Sequence, residues 1–430
     1  MAAGVTRVRR GIVASVLAVS AIVGLSSCMA PAQPSADFQQ ADAQFAPEVV
    51  EQLDAALAEA IRLSGSSGGV AGVWAPWAGS WTVGAGTVGF AEGAAEATSE
   101  TRFQLTEATG AITCATMLRL VDAGAVELDD GVASMVRGLP GIGDITVEQL
   151  CRNESGLADY YPPLRRHFVS NPARVWPSGE LIASGMALAR LGEPGTTWSE
   201  SRTGMLLLAT ALEQHTGRSW TELAEQYVFD PLDMDATALP SAAETEFTGA
   251  LGGFSAGILP DGTADCAVVL DVSERSSSIG GAAGGARSSL EDAREFSQAF
   301  ASGALFDEET ARRAWTVEPF GGSAPSWQGQ GIGGQQYGPL RGVAGESTGA
   351  LTAVFTDPES GLTVVLALNN STGGEALVRE GAFTLASIAS KADAVDGREQ
   401  PLVELPWSLE QATQRMTEAA RCPIPAAPAG

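Results

Sequence analysis

The sequence has almost no lysine and very little histidine. Lys391 is the only lysine among 430 residues, and His167 and His215 are the only histidines. Acidic residues outnumber basic ones by 51 to 25, and the formal net charge is −26 at pH 7. Nucleic-acid binding needs a basic face that releases counterions, so this charge argues against a nucleic-acid partner.

Ligand-binding motifs for metals and cofactors are also missing. The two histidines show no Cys/His or Asp/Glu spacing of the kind that holds a metal ion. The glycine-rich run GGAAGG (280–285) is not followed by the Lys or Ser/Thr pattern of a phosphate-binding loop. We therefore expect neither a metal nor a cofactor.

A run long enough to span a membrane is absent as well. The apolar run at 11–25 has 15 residues, fewer than the roughly 20 that a spanning helix needs. It follows three arginines and is closed by LSSC, an arrangement typical of an export signal. LSSC resembles the bacterial lipobox, which predicts a lipoprotein signal peptide at 1–27, lipidation at Cys28, and anchoring at the outer face of the cell membrane. An uncleaved anchor and an ordinary cleaved signal are the alternatives.

Cysteine is scarce, with five residues in the chain. Four follow Cys28, an even number that would be exported to an oxidising compartment. These four allow three disulfide connectivities, and buried free thiols are the alternative.

Hydrophobic periodicity outlines one domain between two irregular ends. Residues 28–46 are polar and aperiodic and predict a tether, whereas 393–430 predict an irregular C-terminal tail. Between them, 47–392 alternates helical and strand-like patterns. Helices are predicted at 47–65, 111–123, 145–160 (its first part), 203–229, 286–305 and 376–392, and strands within 68–91, 349–359 and 361–371. Strands at both ends with helices between them favour an antiparallel sheet that carries a helical insertion.

Several stretches in this region resemble the serine β-lactamase and penicillin-binding protein superfamily. The closest branch is that of the class C β-lactamases and the D-alanyl-D-alanine carboxypeptidases. The resemblance covers about 47–392 and rests on stretches that occur in family order: TRF (101–103), LVDAGAVELDDGV (120–132), ITVEQLCRNESGLADY (145–160), GEPGTTWSESRTGMLLLATALEQHTGRSW (192–220) and VFDPLDMDAT (228–237). It implies an α/β three-layer sandwich: an antiparallel sheet of about five strands, flanked by terminal helices, with an inserted helical subdomain. A monomer is expected.

The residues that carry the chemistry of that superfamily are replaced here. A Ser-x-x-Lys motif normally supplies the nucleophile and its base; the matching positions are Glu107 and Gly110. Glu200 and Arg202 stand at the Tyr and Asn of the Tyr-x-Asn motif, and Val343 stands at the basic residue of the edge-strand triplet. All five positions differ from the motif, so the acyl-enzyme route of the family is not expected.

The replaced positions should still converge in one cleft. We expect Arg202 to bridge Glu107 and Glu200, because two carboxylates without a cation would repel each other. The alternative is an acid/base pair of two carboxylates with separated pKa values. Three residues after the triplet are possible ligand contacts in the cleft: Glu346, Ser347 and Thr348.

The resemblance also suggests disulfides and a function. It pairs Cys114 with Cys151, since family members pack those two helices together, and leaves Cys266 to pair with Cys422. The predicted function is that of a lipid-anchored, catalytically inactive binding or scaffold protein at the cell envelope, with cell-wall peptide or an envelope protein as partner. The alternative is an active hydrolase that uses Glu107 and Glu200.

Overall fold

The structure is a computed structural model that describes residues 1–4 and 38–424. Most of the predicted signal peptide, together with Cys28, lies outside the described residues. Residues 38–424 belong to one compact unit. None of the helices in the described ranges is both long and apolar enough to cross a bilayer.

The elements of the domain are numbered in chain order. The strands are β1 (Gly68–Ala75), β2 (Gly79–Gly86), β3 (Phe103–Gln104), β4 (Phe254–Ile258), β5 (Ala264–Asp271), β6 (Arg287–Ser288), β7 (Glu318–Pro319), β8 (Gln328–Gln330), β9 (Gln335–Tyr337), β10 (Leu340–Ser347), β11 (Ala350–Thr356) and β12 (Thr363–Leu368). The helices are α1 (Pro47–Ser64), α2 (Ala108–Asp122), α3 (Val132–Met135), α4 (Val147–Cys151), α5 (Tyr161–Ser170), α6 (Ser178–Met186), α7 (Arg202–Thr216), α8 (Trp220–Ala224), α9 (Leu290–Ser302), α10 (Glu308–Ala314), α11 (Glu375–Ala389) and α12 (Leu409–Ala419).

The main sheet is antiparallel and has eight strands in the order β2-β1-β12-β11-β10-β9-β8-β7. The expected count of about five matches the long strands β2, β1, β12, β11 and β10. The three additional strands β7, β8 and β9 have two or three residues each. A segment that short cannot show an alternating pattern, so the sequence did not reveal them.

Two cores lie on the two faces of this sheet and make the fold a three-layer sandwich. Side chains alternate between the faces of a strand, and on β12 Val364 belongs to one core whereas Val365 belongs to the other. Helices α1, α11 and α12 cover the Val364 face, and α2 and α9 cover the opposite face. Helices α2–α8 form the helical insertion. The predicted three-layer architecture is therefore confirmed.

Both predicted irregular ends contain ordered structure. In the tether, the Gln40 side chain donates to the carbonyls of Ala75 and Gly79, and Phe45 is buried. In the tail, α12 packs on α11. These parts of the predictions need correction. A single buried aromatic gives no periodic signal, whereas α12 did carry a signal that was overlooked, the capping box of Ser408 and Gln411.

The long helical signal at 203–229 is interrupted. Helix α7 ends at Thr216, and Gly217 follows it with a left-handed backbone (φ 72°). A capping box of Ser219 and Glu222 then starts α8. A glycine at this position ends a helix because it adopts positive φ without steric cost.

Two disulfides link distant parts of the domain. Cys114 on α2 bonds Cys151 on α4, and Cys266 on β5 bonds Cys422 after α12. The Cα atoms are 5.7 and 5.3 Å apart, within the ordinary range for a disulfide. This is the pairing that the family resemblance suggested.

Candidate functional site

The turn between β3 and α2 places the first site residue. Thr106 is fully buried and adopts a left-handed backbone with φ 49°, which costs a non-glycine residue about 1–3 kcal/mol. Glu107 follows it at the N-cap of α2. The strained turn therefore presents the side chain of Glu107 at the start of a buried helix, at the position where the family places its nucleophile.

A second helix start brings in the cation of the site. Arg202 is the first residue of α7, and the hydroxyl of Ser201 caps that helix by accepting from the amide of Gly204 at 3.2 Å. A cation at a helix N-terminus is disfavoured by the helix dipole. Arg202 therefore needs carboxylates nearby.

Arg202 is held by a dense set of partners. Its guanidinium pairs with the carboxyl of Glu107 through one nitrogen and with the carboxyl of Asp159 at 2.5 Å through another. It also donates to the backbone carbonyl of Glu346 at 2.9 Å and lies over the ring of Tyr161, 4.4 Å from the ring centre. Because the Arg202 side chain is only 11% exposed, these contacts replace its solvation.

The other face of the Glu107 carboxyl packs against β10. A Cβ atom on Gly345 would lie 1.5 Å from Glu107 Oε2, so a side chain is excluded there. Oε2 itself is buried without a hydrogen-bond partner. Val343 lies two residues before Gly345, on the same face of the strand. The Oε2 side of the Glu107 carboxyl group thus faces apolar and backbone atoms rather than a hydrogen-bond donor.

The five replaced positions converge as the sequence predicted. Glu107, Gly110, Glu200, Arg202 and Val343 all line one cavity, although 95 residues separate Glu107 from Arg202. The cavity has a volume of about 40 Å³. Since one water needs roughly 10–15 Å³, the cavity has room for a few water molecules but not for an organic substrate.

The side chain of Met205 and the backbone of Ala283 border the position that matches the lysine of the motif. A Cβ atom on Gly110 would lie 3.3 Å from Met205 Cγ and 3.5 Å from the Ala283 carbonyl oxygen. Two of the three predicted ligand contacts are too buried to meet a ligand, since Ser347 and Thr348 are 4% and 0% exposed. Of that group only Glu346 is partly exposed, so the expectation for Ser347 and Thr348 needs correction.

The carboxyl groups of the site have raised pKa values. Burial raises the pKa of Glu107 to about 8; Arg202 opposes this shift, and the charges of Glu375 and Glu346 add to it. Burial also raises the pKa of Glu200 well above its usual range, with repulsion from Glu375 and Glu107. One guanidinium does not offset the desolvation of several clustered carboxyl groups.

Sequence reasoning missed two members of this cluster. Asp159 and Tyr161 contact Arg202, but the sequence analysis assigned no role to either. The predicted bridge from Arg202 to Glu200 needs correction, because Asp159 is the second carboxyl partner of Arg202. One feature of the sequence could have drawn attention to this segment: Asp159 is followed by Tyr160 and Tyr161, which are two of the four tyrosines in the chain.

The stability of the protein should increase as the pH falls from about 8 towards 5. In the unfolded chain Glu107 titrates near its ordinary pKa, whereas in the folded chain its pKa is about 8. Between these values the folded state holds the extra proton, so stability is lost as the pH rises through this window, by up to about 1.4 kcal/mol per pH unit. Urea unfolding at several pH values measures this slope. Glu107→Gln should make the dependence of stability on pH less steep. Glu246→Gln, at an exposed glutamate, is the control and should leave that dependence unchanged. An unchanged slope in Glu107→Gln would refute the explanation.

Within the described residues, no group of three or more His, Cys, Asp or Glu side chains is arranged to hold a metal ion. The site is therefore a cluster of carboxyl groups around a single arginine. Its fold and position define a protein of the β-lactamase/transpeptidase-like class.

Comparison with known proteins identifies the family. The Beta-lactamase family model matches residues 49–386, and the chain belongs to that family. Among curated proteins it is similar to D-aminopeptidases of Brucella ovis, with 32% identity over 182 residues, and of Gluconobacter oxydans, with 30% identity over 175 residues. These matches span 40% and 39% of this chain but only 34% and 29% of those proteins.

Solved structures agree on the fold. A D-stereospecific amidohydrolase from Streptomyces sp. superimposes with a TM-score of 0.66 and 25% identity, over 76% of this chain and 98% of that one. The penicillin-binding protein from Bacillus halodurans gives a TM-score of 0.61 at 20% identity, over 73% of this chain and 94% of the other. The predicted superfamily is thereby confirmed.

Proposed function

We propose that this protein is a catalytically inactive member of the β-lactamase family that acts by binding at the cell envelope. The observation that carries the proposal is the filled cleft: the paired side chains of Glu107 and Arg202 line its floor, and Asp159 also pairs with Arg202. The cavity that remains beside Glu107 and Arg202 has a volume of about 40 Å³. An acyl-enzyme needs both a nucleophile with its base and space for the acyl group.

The relatives indicate the chemical class of the partner. They are D-aminopeptidases and a D-stereospecific amidohydrolase. By their names, these relatives act on peptides and amides of D-amino acids, so a protein that kept their recognition but lost catalysis would bind such compounds. Cell-wall peptide, or an envelope protein, is therefore the partner class that we propose. A lipid-anchored binding protein would meet both at the membrane surface.

The test of inactivity is turnover. The protein should hydrolyse neither D-phenylalanine amide nor a chromogenic cephalosporin, whereas the D-amino acid amidase from Ochrobactrum anthropi, assayed in parallel, should hydrolyse the amide. Turnover that survives repurification and is abolished by Glu107→Gln would contradict the proposal.

The alternative is a hydrolase that uses Glu107 and Glu200. The observation in its favour is that both carboxyl groups have raised pKa values, as a general acid requires. The ion pair with Arg202 and the small cavity weigh against it. A panel of peptides and glycosides at pH 5–8, run with the wild type and with Glu200→Gln, separates the two functions, because only the alternative predicts activity that the substitution removes.

Lipidation at Cys28 is part of the same proposal. The mature protein should begin at a lipid-modified Cys28 and partition with membranes, and Cys28→Ala should release it or leave the signal uncleaved. Mass spectrometry of the N-terminal peptide and membrane fractionation measure both outcomes. Cleavage elsewhere, or equal release of wild type and variant, would refute the anchor.

A further inference from the structure

A second cavity lies outside the cleft and faces two arginines. We call it the arginine pocket; it is lined by Arg165, Ser255–Ile258, Thr372 and Arg421 together with the turn between β4 and β5, and its volume is about 420 Å³. No acidic residue lines it, although the chain has a net charge of −26. Within the described part of the chain, neither arginine forms an ion pair with a carboxylate.

Arg165 reaches this pocket from α5. One of its terminal nitrogens donates to the Ser371 carbonyl at 3.3 Å. Its Nε atom is buried and has no hydrogen-bond partner. Because Nε is enclosed by protein, a ligand in the pocket would meet Arg165 through its terminal nitrogens.

Arg421 is brought to the same segment by the second disulfide. It precedes Cys422, whose bond to Cys266 fastens the end of the tail to β5. Its Nη2 atom lies 3.5 Å from the point that a Cβ on Gly374 would occupy. Glu346 Oε2 lies 3.1 Å from that point but forms no ion pair with the guanidinium. The disulfide thus places Arg421 near the segment that Arg165 also contacts.

The walls suggest what the arginines would hold. Ala256, Ile258 and Ala264 supply apolar surface, whereas the hydroxyl groups of Ser255 and Thr372 are buried and already hydrogen-bonded within the protein. The volume lies within the range of roughly 300–1,000 Å³ that is usual for small-molecule sites. Guanidinium groups match carboxylates in shape and charge through paired hydrogen bonds.

We propose that the arginine pocket binds a small organic carboxylate with a short apolar body, of the kind found at the C-terminus of a peptide. A monoanion suits the site better than a more highly charged group, because the acidic protein repels anions in proportion to their charge. The inference is independent of the proposed loss of catalysis, since none of the five cleft positions lines this pocket.

Isothermal titration calorimetry with N-acetyl-alanyl-alanine tests the proposal. The free acid should bind, and the C-terminal amide of the same peptide should not. Arg421→Ala and Arg165→Gln should each weaken binding of the acid about tenfold or more, which corresponds to about 1.4 kcal/mol. Arg137→Ala, at an exposed arginine outside this pocket, is the matched control and should bind as the wild type does.

Other outcomes overturn the assignment. Equal binding of acid and amide would show that the carboxylate is not recognised, and binding of inorganic phosphate in preference to the acid would assign a different anion. Wild-type affinity in both arginine variants, or no heat at ligand concentrations on the order of 10 mM, would remove the site. Arg421 is exposed, so its variant should fold, and matched thermal unfolding verifies this.

Discussion

Arg202→Ala should lower the free energy of unfolding by about 3–5 kcal/mol at pH 8, the range expected when one partner of a buried ion pair is removed. The substitution leaves the carboxyl groups of Glu107 and Asp159, the partners of Arg202, buried without a cation. It also takes away the donor to the Glu346 carbonyl. Urea denaturation of wild type and variant at equal ionic strength measures the difference.

The pH dependence of this loss distinguishes charge from lost packing. At pH 5.5 Glu107 is protonated in the folded state, since its pKa is raised to about 8, so the loss should be smaller than at pH 8. Arg137→Ala, at an exposed arginine, should cost less than about 0.5 kcal/mol. A loss in Arg202→Ala no larger than in this control would mean that the arginine does not neutralise the cluster.

Glu107→Ser combined with Gly110→Lys should not restore acylation by a fluorescent penicillin. The pair reinstates the nucleophile and the lysine, but Glu200 and Val343 still stand at the positions of the proton shuttle and the basic anchor. A missing general acid–base residue alone lowers rates by about 10²–10⁴. The new lysine would also meet Met205 Cγ at 3.3 Å from its Cβ atom.

A fivefold variant is the matched comparison for this prediction. It adds Glu200→Tyr, Arg202→Asn and Val343→Lys to the double variant and so removes the arginine that blocks the cleft floor. Labelling should stay at background in the wild type and in the double variant and should rise above background only in the fivefold variant. Clear labelling of the double variant would show that Glu200 and Val343 are not limiting.

The long elements could be predicted from sequence, whereas the short ones could not. Helices such as α1 and α11 have 18 and 15 residues, enough for several turns of hydrophobic periodicity. Strands β7–β9 lack that length, and tertiary packing decides their structure. Helix α12 has 11 residues and a capping box, so its sequence did contain a helix signal. The order of family-like segments supplied the layer architecture, which propensity alone would not give.

The candidate site could also be predicted only in part. The convergence of Glu107, Glu200 and Arg202 followed from motif positions, because the fold fixes where those helix starts lie. The part played by Asp159 did not follow, since no motif position marks it and its contact with Arg202 depends on side-chain geometry. The buried state of Ser347 and Thr348 likewise depends on how tightly β10 packs, which sequence patterns do not encode.

Intact-protein mass spectrometry after incubation with penicillin tests the loss of catalysis most directly. The wild-type protein should keep its mass over hours at pH 5.5 and pH 8, because neither a serine nucleophile nor its base is present at positions 107 and 110. The penicillin-binding protein from Bacillus halodurans, treated identically, serves as the comparison. A gain equal to one penicillin on the wild-type protein, mapped by peptide analysis to the cleft, would contradict the account.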